Sequence, residues 1–444
     1  MKPTNLREAL EARSPEDTIC QFGARSLEAG EALSTRLAFV EGVKRVALCL
    51  QNVCSLVECL AMLDGRVTEI LLLPPAGKHV QASLLSDFGP DLAITDIHGS
   101  RDGWTHLSGL QSEDRTPDDA NTTIDTRWVF ATSGTTDTPK LVVQSFENLI
   151  RTVRQQKAEK AQLRWALFYD PARFAGMQVL LQAIVGGGCA LMPDQERSFA
   201  DHLAYFVGQN CNAFSATPSM WRKILMTPGH ERLNPSILTL GGEIADQPVL
   251  ESLRLAYPQA RIAHVYASTE AGTGFVVADG QAGFPTSLLD TGFCGTSVRV
   301  KDGRLMLKSP GRSARYLNAD TEFSDQDGYV DTGDCVTLSG SRYLFLGRAN
   351  GAINVGGNKV FPEEVEEAIM ASGFSRAAKV SGKSSPVLGS IVVAEVVLGH
   401  GISAQDGGRL IKRFCSGRLE PWKVPAVLRF VDSLSLGPAG KVIR

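Results

Sequence analysis

The sequence predicts an α/β protein, with parallel sheets covered by helices and a small α+β unit at the end. Three observations carry this. Apolar runs of strand length alternate with segments of helical period through much of the chain. From about 285 to 346 the texture changes to short strands joined by Gly and Asp turns. Beyond "GRANG", 347–351, helical and strand-like segments mix again over roughly 95 residues, a usual domain size.

Taken in order, "RVALCLQN" and "EILLLPP" read as buried strands. "SLVECLAMLDG" between them has helical spacing closed by a glycine. Such a βαβ unit needs parallel strands, because its crossover returns the chain to the same edge. "WVFATSG" reads as a strand running into a glycine loop, and "SFENLIRTVRQQKAEKAQ", 145–162, as a helix. "MQVLLQAIVGGG" is a helix stopped by glycines, and "CALMP" a buried strand. "FSATPSMWRKIL", "PSILTLGGE" and "ARIAHVYASTEAG" continue the alternation. "TSVRVKDGRLMLKSP", "GYVDTGD" and "CVTLSGSRYLFLG" are the short strands. "PEEVEEAIMASG" carries proline at the first helical position and Gly373 after its end. "AAKV", "SIVVAEVVLG" and "AVLRFVD" are strand-like, and "AQDGGRLIKRFCSGRL" is helical despite its glycines.

With 444 residues the chain has room for two or three domains. A net charge of -3 lacks the basic excess of a nucleic-acid partner. The 9 cysteines form no C-x-x-C pair and their count is odd, so reduced thiols in a cytoplasmic protein are expected. The charged start "MKPTNLREALEARSPED" does not read as a signal peptide. The apolar run "MQVLLQAIVGGGCALM" is broken by Gln182 and glycines, so no membrane span is expected.

The stretch "ATSGTTDTPK", 131–140, supplies Thr132, Ser133, Gly134, Thr135, Thr136 and Lys140. Backbone N–H groups and hydroxyls in such a loop can converge on phosphate oxygens, and the lysine adds a point charge. The glycine spacing is not that of a P-loop. On these residues alone a solvated turn is equally open.

Together with four later segments, "TSGTTDTPK" resembles the phosphate-binding signature of the adenylate-forming superfamily. That superfamily contains acyl-CoA and aryl-CoA ligases, peptide-synthetase adenylation domains and luciferases. "VYASTEAG", 265–272, is similar to its Y-G-x-T-E segment. The resemblance implies Tyr266 beside adenine, Thr269 on a phosphate and Glu270 on Mg²⁺. "DGYVDTGD", 327–334, implies Asp334 as acceptor of both ribose hydroxyls. "GRANGAINVGGNKVFPEEVE", 347–366, implies Arg348 near ribose and phosphate, a hinge at Asn350, and Gly356 and Gly357 in the turn that serves the second half-reaction. "GPAGKVIR", 437–444, implies Lys441 as the lysine bridging carboxylate and α-phosphate during adenylation. "FYDPARFAG", "FSATPSMW" and "LGGEIAD" correspond to substrate-side loops, which brings in Arg173, Gly176, Thr217, Gly241 and Gly242. Glu363, Glu364, Glu366 and Glu367 read as a solvated helix face near a helix N-terminus.

The resemblance therefore implies an N-terminal adenylation core over 1–348, built of βα layers and a small distorted β-barrel, and a mobile C-terminal domain over 349–444. The implied reaction joins a small carboxylic acid to AMP, releases pyrophosphate, then passes the acyl group to a thiol. ATP, Mg²⁺ and coenzyme A, or a phosphopantetheine carrier protein, are the implied cofactors and partners. Size and "VVQSF" after the lysine resemble the o-succinylbenzoate–CoA ligase branch. A stand-alone adenylation enzyme that loads a carrier protein, or makes an amide or ester, is the alternative reading; a nucleotide-binding relic is a further one. Five positions depart from the pattern: Asp137, Leu141, Ala267, Asn350 and Gly351. The sequence names neither the acid nor an oligomeric state; Arg173 hints at a second polar or negative group on the substrate.

Overall fold

The computed structural model describes residues 2–35, 42–75, 78–97, 103–110, 124–132, 139–156, 162–310, 315–318, 324–385, 389–437 and 440–442. Seven strands form one sheet, in the order Arg315–Tyr316, Lys140–Ser145, Arg127–Thr132, Glu69–Leu72, Arg45–Cys49, Leu92–Thr95 and Thr105–His106. The five from Arg127–Thr132 onward run parallel. Eight strands form a second sheet, in the order Gly272–Val277, Arg261–Ser268, Ile237–Gly241, Ala213–Ala216, Arg164–Leu167, Cys189–Met192, Thr18–Phe22 and Arg25–Glu28.

The two sheets share one core. Helices Val53–Leu63 and Phe174–Ile184 lie in it, among Val46 and Ile70 of the first sheet and Trp165 and Ala190 of the second. All residues of Val53–Leu63 are buried, mostly apolar ones, with Glu58 paired to Arg25 at 2.5 Å. Its start is fixed by Asn52, whose Oδ1 accepts from the Cys54 N–H at 2.9 Å. On the far face of the second sheet, helices Pro218–Met226 and Gln247–Ala256 pack Trp221 and Leu253 against Phe214, Leu238 and Leu240.

A third sheet is antiparallel: Phe284–Pro285, Arg342–Arg348, Val330–Ser339, Arg304–Lys308 and Ser297–Lys301. The last sheet pairs Asn358–Val360, Ile353–Val355, Gly389–Leu398 and Ser375–Ser385, with Val427–Phe430 parallel to Gly389–Leu398. It has its own core of residues such as Val360, Val365, Ile369 and Ile411. The fold class is as expected: a mixed α/β body followed by a smaller α+β portion.

Two local expectations change. The helix expected over 145–162 ends at Ile150. Beyond it the chain is drawn aside: Arg151 donates to the Cys294 and Thr273 carbonyls, and the Gln156 N–H to Gly186. Residues 140–145 form a strand antiparallel to 127–132, placing Lys140 opposite Thr132. Leu141 is fully buried there, so apolar packing occupies the position after the lysine.

Candidate active site

A continuous cleft of ≈ 1710 Å³ opens where the strand ends Gly241 and Ser268 meet the antiparallel sheet and the last residues of the chain. Crevices at the carboxyl ends of parallel strands are the usual ligand sites of α/β sheets. The cleft collects Lys140, Arg173, Glu270, Asp334, Arg348 and Lys441 from six separate segments. Thr132, Tyr266, Thr269, Gly241 and Gly242 line it as well. Ser133, Gly134, Thr135, Thr136 and Asp137 lie outside the described residues.

At one end, the Lys140 ammonium sits 4.4 Å from the centroid of the Tyr316 ring, a cation–π distance. The Tyr316 hydroxyl donates to Glu270 Oε1 at 3.4 Å. Burial, then the Glu270 charge, pushes that phenol up to about 12, so it stays a donor at neutral pH. The backbone around Thr269 is held from below: buried Gln144 donates to the Thr269 carbonyl and accepts from Asn148. Among the described residues no group of three or more His, Cys, Asp or Glu is placed to hold a metal ion. The single hard carboxylate of Glu270 fits an ion that takes most of its ligands from phosphate and water.

Asp334 lies deeper, on the antiparallel sheet, opposite Arg348 in register. The Tyr266 hydroxyl donates to Asp334 Oδ2, and the Arg348 Nε stands 3.7 Å from Oδ1. Arg348 also donates to the Thr332 carbonyl at 2.9 Å. Gly333 has φ +80, and a Cβ there would come within 2.9 Å of the Arg348 guanidinium; this turn requires glycine. Burial raises the Asp334 carboxyl above the ordinary range, opposed by the Tyr266 hydrogen bond and Arg348.

Tyr266, expected beside adenine, lines the cleft. Phe275 stacks on it with ring centroids 5.1 Å apart, and Phe345 with centroids 5.3 Å apart, both nearly parallel. These rings steady Tyr266 at the cleft wall, and its hydroxyl reaches Asp334.

Lys441 enters from the opposite wall. Thr217 Oγ1 donates to the Gly440 carbonyl, and the Val442 N–H to Glu243 Oε1 at 3.1 Å. Glu243 Oε2 is held by the Ser219 N–H at 2.9 Å. The lysine passes directly over Gly242, where a Cβ would stand 3.2 Å from its Cε and where φ is +80. Its surface is still wetted by the cleft, but protein surrounds it, and this desolvation pulls its pKa below the usual lysine value. Glu243 opposes that shift, and Arg348 adds to it.

Other expected site residues fall elsewhere. Gly176 does not face the cleft: a Cβ there would run into the Asp170 carbonyl at 2.1 Å, so it serves close packing of helix and loop. Thr217 is fully buried; it caps helix Pro218–Met226 and grips Gly440, leaving no face for substrate. Gly356 and Gly357 form an exposed hairpin turn with φ +57 and +91, and neither lines the cleft. Asn350 sits in a short exposed 3-10 turn, Ala349–Gly351. The glutamates of helix Pro362–Ala371 are not a solvated face. Glu364 pairs with Lys423 at 2.7 Å, Glu366 accepts from the Val380 N–H at 2.7 Å, and burial followed by the Asp246 charge raises Glu367.

Sequence reasoning passed over Gln144, Glu243 and Tyr316. "VVQSF" contained the first and "LGGEIAD" the second, but nothing local marked either as an anchor.

A cleft that gathers Lys140, Asp334 and Lys441 from separate segments suits an adenylate-forming enzyme. The chain belongs to the AMP-binding enzyme family: that family matches residues 21–312, and its C-terminal domain family matches 364–441. The 2-succinylbenzoate--CoA ligase of Bacillus subtilis is 25% identical over 85% of this chain and 82% of its own length. Among solved structures, the o-succinylbenzoate CoA synthetase of Bacillus subtilis in complex with its acyl-adenylate superposes with TM-score 0.74 at 22% identity, covering 100% of this chain and 97% of that one. The anthranilate CoA ligase AuaEII in complex with anthranoyl-AMP gives TM-score 0.80 at 16% identity, covering 99% and 96%. No helix among the described residues is long and apolar enough to cross a membrane.

Proposed function

We propose that this chain is an AMP-forming acid–thiol ligase. It joins a small carboxylic acid to ATP as acyl-AMP, releases pyrophosphate, and passes the acyl group to a thiol, coenzyme A being the acceptor its relatives' names point to. The observation that carries this reading is the convergence of Lys441, Asp334 and Glu270 on one cleft, with the lysine segment anchored there by Thr217 and Glu243.

In this reading the ribose hydroxyls donate to the Asp334 carboxylate, which has acceptor sites only. Tyr266 and Arg348 fix that carboxylate before the nucleotide arrives. Lys140 and Thr132 meet the phosphates on the Glu270 side. Glu270 would hold a Mg²⁺ ion together with the phosphates, and that ion would supply charge neutralisation there. The substrate carboxylate attacks the α-phosphorus, and Lys441 balances the charge that grows between them. Arg173, whose Nε has no hydrogen-bond partner among the described residues, offers a donor to an oxygen next to the reacting group. The division at 348/349, the hinge at Asn350, and the delivery of Gly356–Gly357 for the thiol step complete the proposal. Closing the cleft keeps water from the acyl-adenylate.

Incubation with ATP, Mg²⁺ and a panel of carboxylic acids tests this; absence of pyrophosphate with every acid overturns it. The pH profile of adenylation is a second check. Raised Asp334 loses its charge at higher pH than an ordinary aspartate, and lowered Lys441 loses its proton at lower pH than an ordinary lysine. The rate should fall on both flanks, inside the range that free side chains would allow. Lys441→Arg should move only the alkaline flank, outward.

Tyr316→Phe removes the donor to Glu270 and keeps the ring under Lys140. The expected result is a several-fold rise in the Mg²⁺ concentration needed for half-maximal binding of a non-hydrolysable ATP analogue, with little change in melting temperature. An unchanged Mg²⁺ requirement in calorimetry counts against the Tyr316–Glu270 link.

A further inference from the structure

Strand Ile237–Gly241 lies inside the eight-stranded sheet with a neighbour on each side, yet its residues alternate between half-exposed and buried. Leu238 and Leu240 are buried against the outer helices, while Ile237, Thr239 and Gly241 are half-buried and line the cleft. An interior strand has one open face only if that face looks into empty space, since successive side chains point to opposite sides. The neighbouring strands are more buried, yet Ser215, Ala263 and Val265 line the same cleft. Register sets Ser215 and Ala263 on either side of Thr239, and Val265 beside Gly241. The result is a floor of small side chains.

The roof is helix Phe174–Ile184, whose Phe174, Gln178 and Gln182 recur every four residues on one face and line the same cleft. Their amides are turned into the protein. Gln178 donates to the Leu149 carbonyl at 2.9 Å, and Gln182 pairs with the Arg154 backbone at 3.1 and 3.0 Å. Methylene stems and ring edges therefore border the space. The strand and the helix are each about 16 Å long, from 3.3 Å and 1.5 Å per residue. One end of the passage is Gly242 under Lys441; the other is bordered by Arg154, Asn212 and Arg261, two of them exposed cations.

We infer that the acid this enzyme activates is elongated: its carboxylate sits at Lys441 and a largely apolar chain runs between strand Ile237–Gly241 and helix Phe174–Ile184 towards the basic far mouth. This rests on the adenylation reading above. An unbranched acid of on the order of ten to twelve carbons spans the passage. A compact aromatic acid leaves the small-residue floor uncovered.

The test measures kcat/KM for pyrophosphate release with ATP, Mg²⁺ and coenzyme A, across unbranched acids from butanoic to tetradecanoic and with o-succinylbenzoate and anthranilate. The expected result is a rise of about fourfold per methylene, levelling near ten to twelve carbons. Thr239→Leu narrows the middle of the passage and should move the plateau several carbons shorter; Ala263→Val should do the same from the adjacent strand if the first variant folds poorly. A flat dependence on length, a plateau unmoved in both folded variants, or a compact aromatic acid preferred more than tenfold over decanoate overturns the inference while leaving adenylation standing. Absence of pyrophosphate release with every acid overturns both.

Discussion

Replacing Lys441 with alanine should slow acyl-adenylate formation by about 10²–10³-fold, the scale of losing one charge aimed at a transition state. The second half-reaction, measured from preformed acyl-AMP and coenzyme A, should stay within about twofold. The asymmetry follows from geometry. Among the described residues, two hydrogen bonds tie the segment that carries Lys441 to the large body, from Thr217 and to Glu243. The residues proposed for the thiol step stand on a separate exposed hairpin at Gly356 and Gly357. Isotope exchange between pyrophosphate and ATP reads the first step, and thioester formation reads the second. Equal loss in both would mean that the lysine holds the fold or serves both steps, and its assignment to adenylation would be withdrawn.

Asp334→Asn should raise the KM for ATP about 10- to 100-fold, from loss of charge-assisted hydrogen bonds. The asparagine amide also turns donors towards hydroxyls that are themselves donors. The discriminating measurement compares ATP with 2′-deoxy-ATP. The wild type should prefer ATP clearly, and the variant should lose most of that preference. Retained discrimination would place the ribose elsewhere. Melting temperature is read alongside, because Tyr266 loses its charged acceptor in the variant.

Most of the cleft was legible in the sequence because each chemical group travels with its own local backbone. Asp334 follows Gly333, whose φ of +80 makes the turn, and Lys441 follows Gly440, whose φ is +69. Read alone, such segments pass for ordinary turns; their resemblance, in order, to the adenylate-forming signatures is what marks them. The βαβ pattern was legible directly, since period and turn chemistry are local.

What stayed hidden is set by contacts across long stretches of chain. Gln144 grips Thr269 from 125 residues away, and Glu243 binds Val442 from 199 residues away. Neither residue differs locally from an ordinary buried or half-buried polar side chain. The helix expected over 145–162 failed likewise: its period was adequate, but Gly186 and Thr273 offer the chain better partners than a further helical turn does. The glutamates of Pro362–Ala371 looked solvated because Lys423 and Val380, their partners, lie outside any local window.

Tyr266 stacks on rings from two sheets: Phe275 belongs to the eight-stranded sheet and Phe345 to the antiparallel one. On the proposed function, nucleotide affinity should therefore follow the local stability of the antiparallel sheet that carries Asp334. Warming that loosens strands Val330–Ser339 and Arg342–Arg348 should free the phenol, let the Asp334 carboxylate wander, and weaken ATP binding well before the protein as a whole unfolds. Hydrogen exchange in those strands and the temperature at which ATP affinity collapses should then move together, and a conservative change such as Phe345→Leu should lower both.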